Sequence, residues 1–301
     1  MKSFLRKSSP LLVHLPHPSS WLVPVVLWQL LVGGCSPPVA RPTGPAKDYA
    51  DAEDLFSKAR YDRALGYTSG FVRGAPGEFN ERGRVLRAII LSGDVNAYTE
   101  LADAYQKGAE ATKNPQWKAE FIRLHHDNLR YAAERSLGLA EVAHALTQNG
   151  TLPKDLTLEV PYPKVEGPMM VAQLTRVRDG GWIEAGDQES ASIEAQRMAI
   201  ENVLAQLTGG DRSQARAKLT AGPVKIDGAD FGLFLGQELL TAASAFDKKH
   251  LHDPGKMKAL CSEADAASKA TATLLHASPD ASKEKRLKKL QDDVKEAVRN
   301  A

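Results

Sequence analysis

The sequence has little cysteine and lacks several motifs that mark metal, phosphate-binding or catalytic sites. Cys35 and Cys261 are the only cysteines among 301 residues, so paired-cysteine metal motifs are absent. A Gly-x-Ser-x-Gly elbow and a glycine-rich phosphate loop are also absent. We therefore predict that the protein is not an enzyme and needs no cofactor.

The sequence also lacks an excess of one charge. It contains 39 basic and 37 acidic residues, and residues 1–34 hold three of the basic residues and no acid. The remaining chain is nearly neutral, which argues against general nucleic-acid binding. We predict no nucleic-acid partner.

A third absence is a hydrophobic run long enough to span a bilayer. The longest run extends from Trp21 to Val32 and is interrupted by Pro24 and Gln29. A membrane-spanning helix needs about 20 apolar residues, so this run is too short. Because basic residues precede it, the pattern is typical of a signal peptide.

The apolar run ends in Leu31-Val32-Gly33-Gly34-Cys35. This segment resembles the lipobox of bacterial lipoproteins, in which aliphatic and small residues precede an obligatory cysteine. The resemblance implies cleavage between Gly34 and Cys35 and acylation of the Cys35 thiol. It also implies a cell-envelope protein. By resemblance to proteobacterial lipoprotein sorting, Ser36 next to the lipid implies the periplasmic face of the outer membrane. The alternative is a plain signal peptide or an uncleaved anchor in which Cys35 is incidental.

Composition changes divide the chain into five predicted parts. After the signal peptide at 1–34, residues 35–46 form a proline-rich tether that should be extended. Prolines and Gly167 also interrupt residues 151–167, which we interpret as a linker containing a short extended segment. A helical domain is predicted on each side of this linker, at 47–150 and at 168–301.

The chain is rich in alanine, leucine and charged helix formers, and this predicts an all-α fold. Glu81–Leu91 and Val95–Gly108 are predicted helices, separated by a turn at Ser92-Gly93-Asp94 in which Asp94 caps the second helix. The next helix should begin at Pro115 behind an Asn114 cap. Its inward residues are predicted to be Phe121, Leu124, Leu129 and Leu137.

The first helix pair carries a partial repeat pattern. It combines small, aromatic and terminal proline positions at Ala52, Tyr61, Ala64, Phe71 and Pro76. This segment resembles one tetratricopeptide repeat, in which alanines let two helices approach closely and an aromatic residue fills the gap. The resemblance implies a right-handed helical-hairpin array, a TPR-like α-solenoid. The alternative is an irregular helical bundle.

Several residues that could carry chemistry have simpler explanations. His250, His252 and Asp253 could bind a metal if their loop curled, but Asp253 also suits the cap of a helix beginning at Pro254. Cys261 has apolar neighbours at helical spacing, which predicts a buried, inert thiol. The sequence therefore predicts no metal site, with these three loop residues as weak candidates.

The C-terminal segment Lys283–Leu290 begins a basic helix. Leu287, Leu290 and Val294 form one apolar stripe along it, which predicts a helix docked on the core with a solvated charged face. The alternative is contact between that face and anionic lipid head groups.

These features favour a membrane-anchored envelope lipoprotein that serves as a non-catalytic interaction scaffold or accessory factor. Its expected partners are the membrane, through Cys35, and an envelope protein or peptide. One alternative is a small-ligand-binding accessory of a periplasmic uptake system, and a second is a cell-wall enzyme. An open groove would favour the scaffold, an enclosed apolar pocket the ligand-binding accessory, and a carboxylate pair in a cleft the enzyme. The sequence leaves the oligomeric state open.

Overall fold

A computed structural model describes residues 43–163 and 171–301. About 78 % of these residues are helical, which confirms the all-α prediction. The helices are α1 (Pro45–Ser57), α2 (Tyr61–Arg73), α3 (Glu78–Ala111), α4 (Pro115–Thr147), α5 (Val171–Arg178), α6 (Ala185–Thr208), α7 (Arg212–Ala221), α8 (Gly228–Ala243), α9 (Pro254–Ala277) and α10 (Ala281–Asn300). Two short strands are β1 (Asp155–Leu158) and β2 (Val224–Asp227), and a single 3-10 turn spans Ser244–Phe246.

The predicted helix caps are confirmed where the sequence marked them most clearly. The Asn114 side chain accepts hydrogen bonds from the backbone N–H groups of Gln116 and Trp117, with Pro115 as the first residue of α4. The Asp253 side chain accepts from the Lys256 N–H at the start of α9. Each cap satisfies donors that a helix start leaves free, and so fixes where the helix begins.

The predicted turn at Ser92-Gly93-Asp94 is wrong, because α3 runs unbroken through it. Gly93 lies against α6, where an added Cβ would stand only 2.2 Å from Ile200 Cγ1. Ser92 and Asp94 are fully buried beside it. Gly93 therefore allows α3 and α6 to pack closely. Asp94 lies within α3 and does not cap a helix.

The extended segment predicted after residue 150 is confirmed at β1. Its four residues alternate between exposed and buried, and it pairs antiparallel with β2, with Asp155 opposite Asp227 and Leu158 opposite Val224. Elsewhere α3 packs on α6 and α4 packs on α9. Elements from both predicted halves therefore contact one another, and Pro42–Ala301 forms one compact unit.

The α1–α2 pair buries four of the five residues assigned to the repeat pattern, namely Ala52, Tyr61, Ala64 and Phe71. Pro76 is exposed, and α2 ends before it at Arg73. The following helices contain 34 and 33 residues, against 13 in α1 and in α2. Such unequal lengths favour the irregular bundle, and a regular hairpin array is not confirmed.

The apolar side chains of the described residues form two core clusters. The larger joins α1–α4 with α6 and α8–α10. The smaller cluster surrounds the C-terminal half of α3 and the N-terminal half of α4. There the Phe121 ring lies 6.0 Å from the Tyr105 ring and 5.8 Å from the Trp182 ring. Leu287, Leu290 and Val294 of α10 are buried, which confirms that this helix is docked.

Candidate functional site

A groove follows the outward face of α4. Two pockets, of about 530 Å³ and about 740 Å³, share Leu137 in their linings and are therefore adjacent. We name their union the α4 groove. Its floor on α4 includes Asp127, Arg130, Tyr131, Glu134, Leu137, Glu141, His144 and Gln148. Beyond α4, residues from Phe246 to Lys256 line the smaller pocket. The end of α2 with Gly74, and Ala259 and Glu263 of α9, line the larger one.

The floor residues recur every three or four positions, so they occupy one side of the helix. At a rise of 1.5 Å per residue, the stretch from Asp127 to Gln148 is roughly 30 Å long. The groove is therefore long enough for a helical or extended segment of a partner chain.

Two large apolar side chains are exposed within this groove. Tyr131 is 50 % exposed and Leu137 is 38 % exposed. The prediction that Leu137 points inward is wrong. The buried side of α4 includes Ala132 and Leu139, and at 100° per residue Leu137 lies nearly opposite Leu139. Leu137 consequently faces the groove while Leu139 fills the core.

The charged groups of the groove are mixed in sign. Asp127 forms an ion pair with Arg123, with 2.6 Å between Asp127 Oδ2 and Arg123 Nη1. Across the groove, His144 Nδ1 lies 3.3 Å from a carboxylate oxygen of Glu263 on α9. Arg130 and Glu134 have no ion pair among the described residues, so their charges are free to meet a partner.

Arg84 fixes the α2 wall of the groove. This buried guanidinium donates from Nη2 to the Gly74 carbonyl at 2.7 Å and from Nε to the Phe71 carbonyl at 2.9 Å. These carbonyls belong to the end of α2, where helical partners run out. The wall is therefore tied to α3 by charge-assisted hydrogen bonds.

A buried ion pair lies beneath the groove. Arg135 Nε lies 3.2 Å from Asp94 Oδ2, and the same guanidinium pairs with the exposed Asp62 on α2. Burial raises the pKa of the Asp94 carboxyl to about 7, although Arg135 opposes the shift. Sequence reasoning missed this link because Asp94 was assigned to a turn.

Tyr98 connects this ion pair to the groove. Its ring lies 5.3 Å from the Tyr131 ring, and its hydroxyl accepts a 2.8 Å hydrogen bond from Gln196 on α6. Tyr98 of α3 therefore contacts both Gln196 of α6 and the groove residue Tyr131 of α4.

Two further carboxyl groups have raised pKa values. Burial raises the pKa of Glu238 to about 7, although the Asn96 amide donates to it at 3.0 Å. Burial also raises the pKa of Glu53 to about 7, and the nearby charge of Glu159 adds to the shift. None of these three carboxyl groups lines the α4 groove.

The lipidation and cleavage residues Cys35 and Gly34 lie outside the described residues. Among the loop candidates, His250 Nδ1 lies 2.8 Å from Asp247 Oδ1, and Asp253 caps α9 and pairs with Lys256 at 3.1 Å. Within residues 43–163 and 171–301, no group of three side chains is arranged to hold a metal ion.

Cys261 is free and fully buried, as predicted. Burial raises the pKa of its thiol, which disfavours the reactive thiolate. The prediction of a buried core cysteine is therefore confirmed.

Across the described part of the chain, no helix combines the length and apolar character needed to cross a bilayer. Comparison with protein-family models, curated proteins and solved structures gives no match to this chain.

Proposed function

We propose that this protein is an envelope lipoprotein, anchored through acylated Cys35 at the periplasmic face of the outer membrane, that binds a partner protein in the α4 groove without catalysing a reaction. The observation that carries the binding role is the groove itself. It is roughly 30 Å long, and Tyr131 and Leu137 are exposed on its floor.

The groove suits a helical segment of the partner. Its floor is a helix whose backbone groups are already paired, so an added strand would find no free edge there. An amphipathic helix in such a groove contributes apolar residues at spacings of three, four and seven. Tyr131 and Leu137 provide the apolar contacts, and the free charges of Arg130 and Glu134 set orientation.

The membrane part of the proposal rests on the sequence before residue 43. A basic start, a short apolar run and Gly33-Gly34-Cys35 together match lipoprotein processing. Each buried methylene of an acyl chain contributes about 0.8 kcal/mol, so two or three chains hold a protein at a bilayer almost permanently. Intact-mass measurement of the purified native protein tests this part: we expect a chain that begins at Cys35 and carries fatty acids.

The two alternative functions receive less support from the geometry. A small-ligand accessory calls for an enclosed apolar pocket, whereas the α4 groove is open and has polar and apolar groups in its lining. An enzyme acting on cell-wall polymer calls for a pair of carboxyl groups set across a cleft. Acids do line the α4 groove, but Asp127 is paired with Arg123 and Glu263 with His144, and the carboxyl groups with raised pKa values lie outside it. The binding scaffold therefore stays the preferred function.

Site-specific photo-cross-linking tests the binding role. A photoreactive phenylalanine analogue is placed at Tyr131 or at Leu137 in cells that express the protein. The matched control places it at Ile193, which is 44 % exposed on α6 and lines neither groove pocket. We expect a discrete cross-linked species from the two groove positions and none from Ile193. Equal cross-linking at all three positions, or none at any, would overturn the proposal.

A further inference from the structure

Three lysines of α10 form an exposed cationic face that is not part of the α4 groove. Lys285, Lys288 and Lys289 follow one another at helical spacing and are all exposed. None of them makes an ion pair or a side-chain hydrogen bond within the described residues. We name these three residues the lysine face.

The other cations at the start of α10 are neutralised within the fold. Lys283 Nζ lies 2.8 Å from Asp227 and 3.0 Å from Asp230, and Arg286 lies 2.8 Å from Asp230. These pairs hold the start of α10 against α8. The lysine face is not needed for that docking, and its charge remains available to an external anion.

A short series of contacts connects the start of α10, which carries the lysine face, to the start of α1. The Tyr49 hydroxyl on α1 donates to the Glu159 carbonyl at 2.9 Å, just after β1. At the other end of β1, Asp155 pairs with Asp227, which contacts Lys283. The strand between these contacts is only about 13 Å long.

A second group of unpaired lysines lies at the C-terminal end of α3, far along that helix from the residues that contact α1. Lys107, Lys113 and Lys118 are exposed around the turn between α3 and α4. The Phe79 ring, near the start of α3, lies 6.2 Å from the Tyr49 ring. Lys107 is about 40 Å further along the same helix. The two lysine groups carry equal charge and differ in their distance from α1.

We propose that the lysine face binds the anionic phospholipid head groups of the membrane that holds the Cys35 anchor, which sets the orientation of the domain on that membrane. That the lysine face lies near the membrane rests on the Cys35 anchor of the proposed function. Thr43 follows Cys35 by eight positions, and a chain of eight residues spans at most about 29 Å. Acylation would therefore keep the α1 end near the bilayer, and with it the lysine face.

Charge complementarity favours a lipid surface as the occupant. The lysine face presents cations without a large exposed apolar side chain between them, because Leu287 and Leu290 point into the core. Such a surface attracts a layer of phosphates without inserting into it. Each lysine near an anionic membrane changes the partition coefficient by about five-fold, so the three together contribute roughly 100-fold.

Lysine acetylation read by mass spectrometry tests the contact. The full chain is labelled alone, with phosphatidylcholine vesicles, and with vesicles that also contain phosphatidylglycerol. We expect protection of Lys285, Lys288 and Lys289 by the anionic vesicles only, and no protection of Lys107, Lys113 and Lys118. Raising the salt to about 1 M shortens the Debye length to about 3 Å and should remove the protection.

Two matched triple variants provide the control. K285Q/K288Q/K289Q should lose roughly 100-fold in its preference for anionic over neutral vesicles. K107Q/K113Q/K118Q, with the same change of charge, should keep that preference. Equal losses, protection of the distal lysines, or binding to a soluble polyanion but not to vesicles would overturn the inference.

The same comparison in a Cys35→Ser chain separates this inference from the anchoring proposal. Without acylation, the salt-sensitive preference for anionic vesicles should persist, although total binding falls. If intact mass shows no fatty acid but the lysine face is still protected, only the anchor fails. If the native chain is acylated but its lysine face is not protected, only the lysine-face inference fails.

Discussion

The two longest helices differ in how much surface they leave open. The central turns of α3 are buried on nearly every side, including Ser92, Gly93 and Asp94. The outward face of α4 remains open from Asp127 to Gln148. These two neighbouring helices of almost equal length therefore differ in role. The α3 helix stabilises the core, and the α4 helix presents an exposed surface. The following predictions test this difference, beginning with the largest expected effect.

Leu139 and Leu137 separate the two sides of α4. Leu139→Ala removes a fully buried side chain and should lower the free energy of unfolding by about 2–5 kcal/mol. Leu137→Ala removes a partly exposed side chain and should lower it by less than about 1 kcal/mol, while weakening partner binding. Denaturant unfolding of both variants measures the difference, and equal destabilisation would contradict the assignment of the two faces.

Gly93 tests how closely α3 approaches α6. In Gly93→Ala the new Cβ would stand 2.2 Å from Ile200 Cγ1 and 3.0 Å from the Ile200 Cα, so a helix must shift. We expect the variant to lose about 1–3 kcal/mol of stability through overpacking, despite the better helix propensity of alanine. The matched control is Gly66→Ala in α2, where an added Cβ has open space and should stabilise the helix. A stabilised Gly93→Ala variant would show that the contact is looser than described.

Asp94 should make stability depend on pH. Its folded pKa of about 7 lies above its ordinary value of 3.8, so between these values the folded state binds more protons than the unfolded state. Stability from this group is present at low pH and declines as pH rises toward 7, by up to about 1.4 kcal/mol per pH unit. Asp94→Asn should remove this slope.

Unfolding measured at several pH values compares the wild type with Asp94→Asn. Asp62→Asn is the control, because Asp62 pairs with the same arginine from an exposed position. Should Asp94→Asn leave the pH dependence unchanged, the buried carboxyl would not be the group that titrates.

The smallest effect is expected at the start of α4. Asn114→Ala removes the acceptor for two backbone N–H groups and should lower stability by about 1 kcal/mol. Asn114→Asp, which keeps an acceptor, should cost much less. A thermal melt of the three proteins distinguishes a true cap from an incidental contact, which would leave all three alike.

The local features of the fold could be predicted from the sequence because they depend on neighbouring residues. The caps at Asn114 and Asp253 and the apolar stripe of α10 follow from short-range pattern and are confirmed. The short extended segment predicted within residues 151–167 likewise corresponds to β1. Each of these features needs only a few consecutive residues to be recognised.

The features that sequence reasoning missed depend on partners distant in the chain. Gly93 was assigned to a turn because glycine is common in turns. Its actual role depends on Ile200, which is more than one hundred positions away in the sequence. Leu137 was assigned to the core because α4 has enough apolar residues for more than one face. The α4 groove requires α2 and α9 to flank α4, and no local pattern specifies that placement.

The central claim is that the open face of α4 is the surface that a partner protein occupies. Its most direct test introduces Leu137→Asp or Ile193→Asp into a chain that carries the photoreactive group at Tyr131, and then measures the yield of the cross-linked species. Leu137→Asp should abolish the cross-link while the chain stays folded, and Ile193→Asp should preserve it. A cross-link that survives Leu137→Asp, or one that Ile193→Asp removes equally, would contradict the claim.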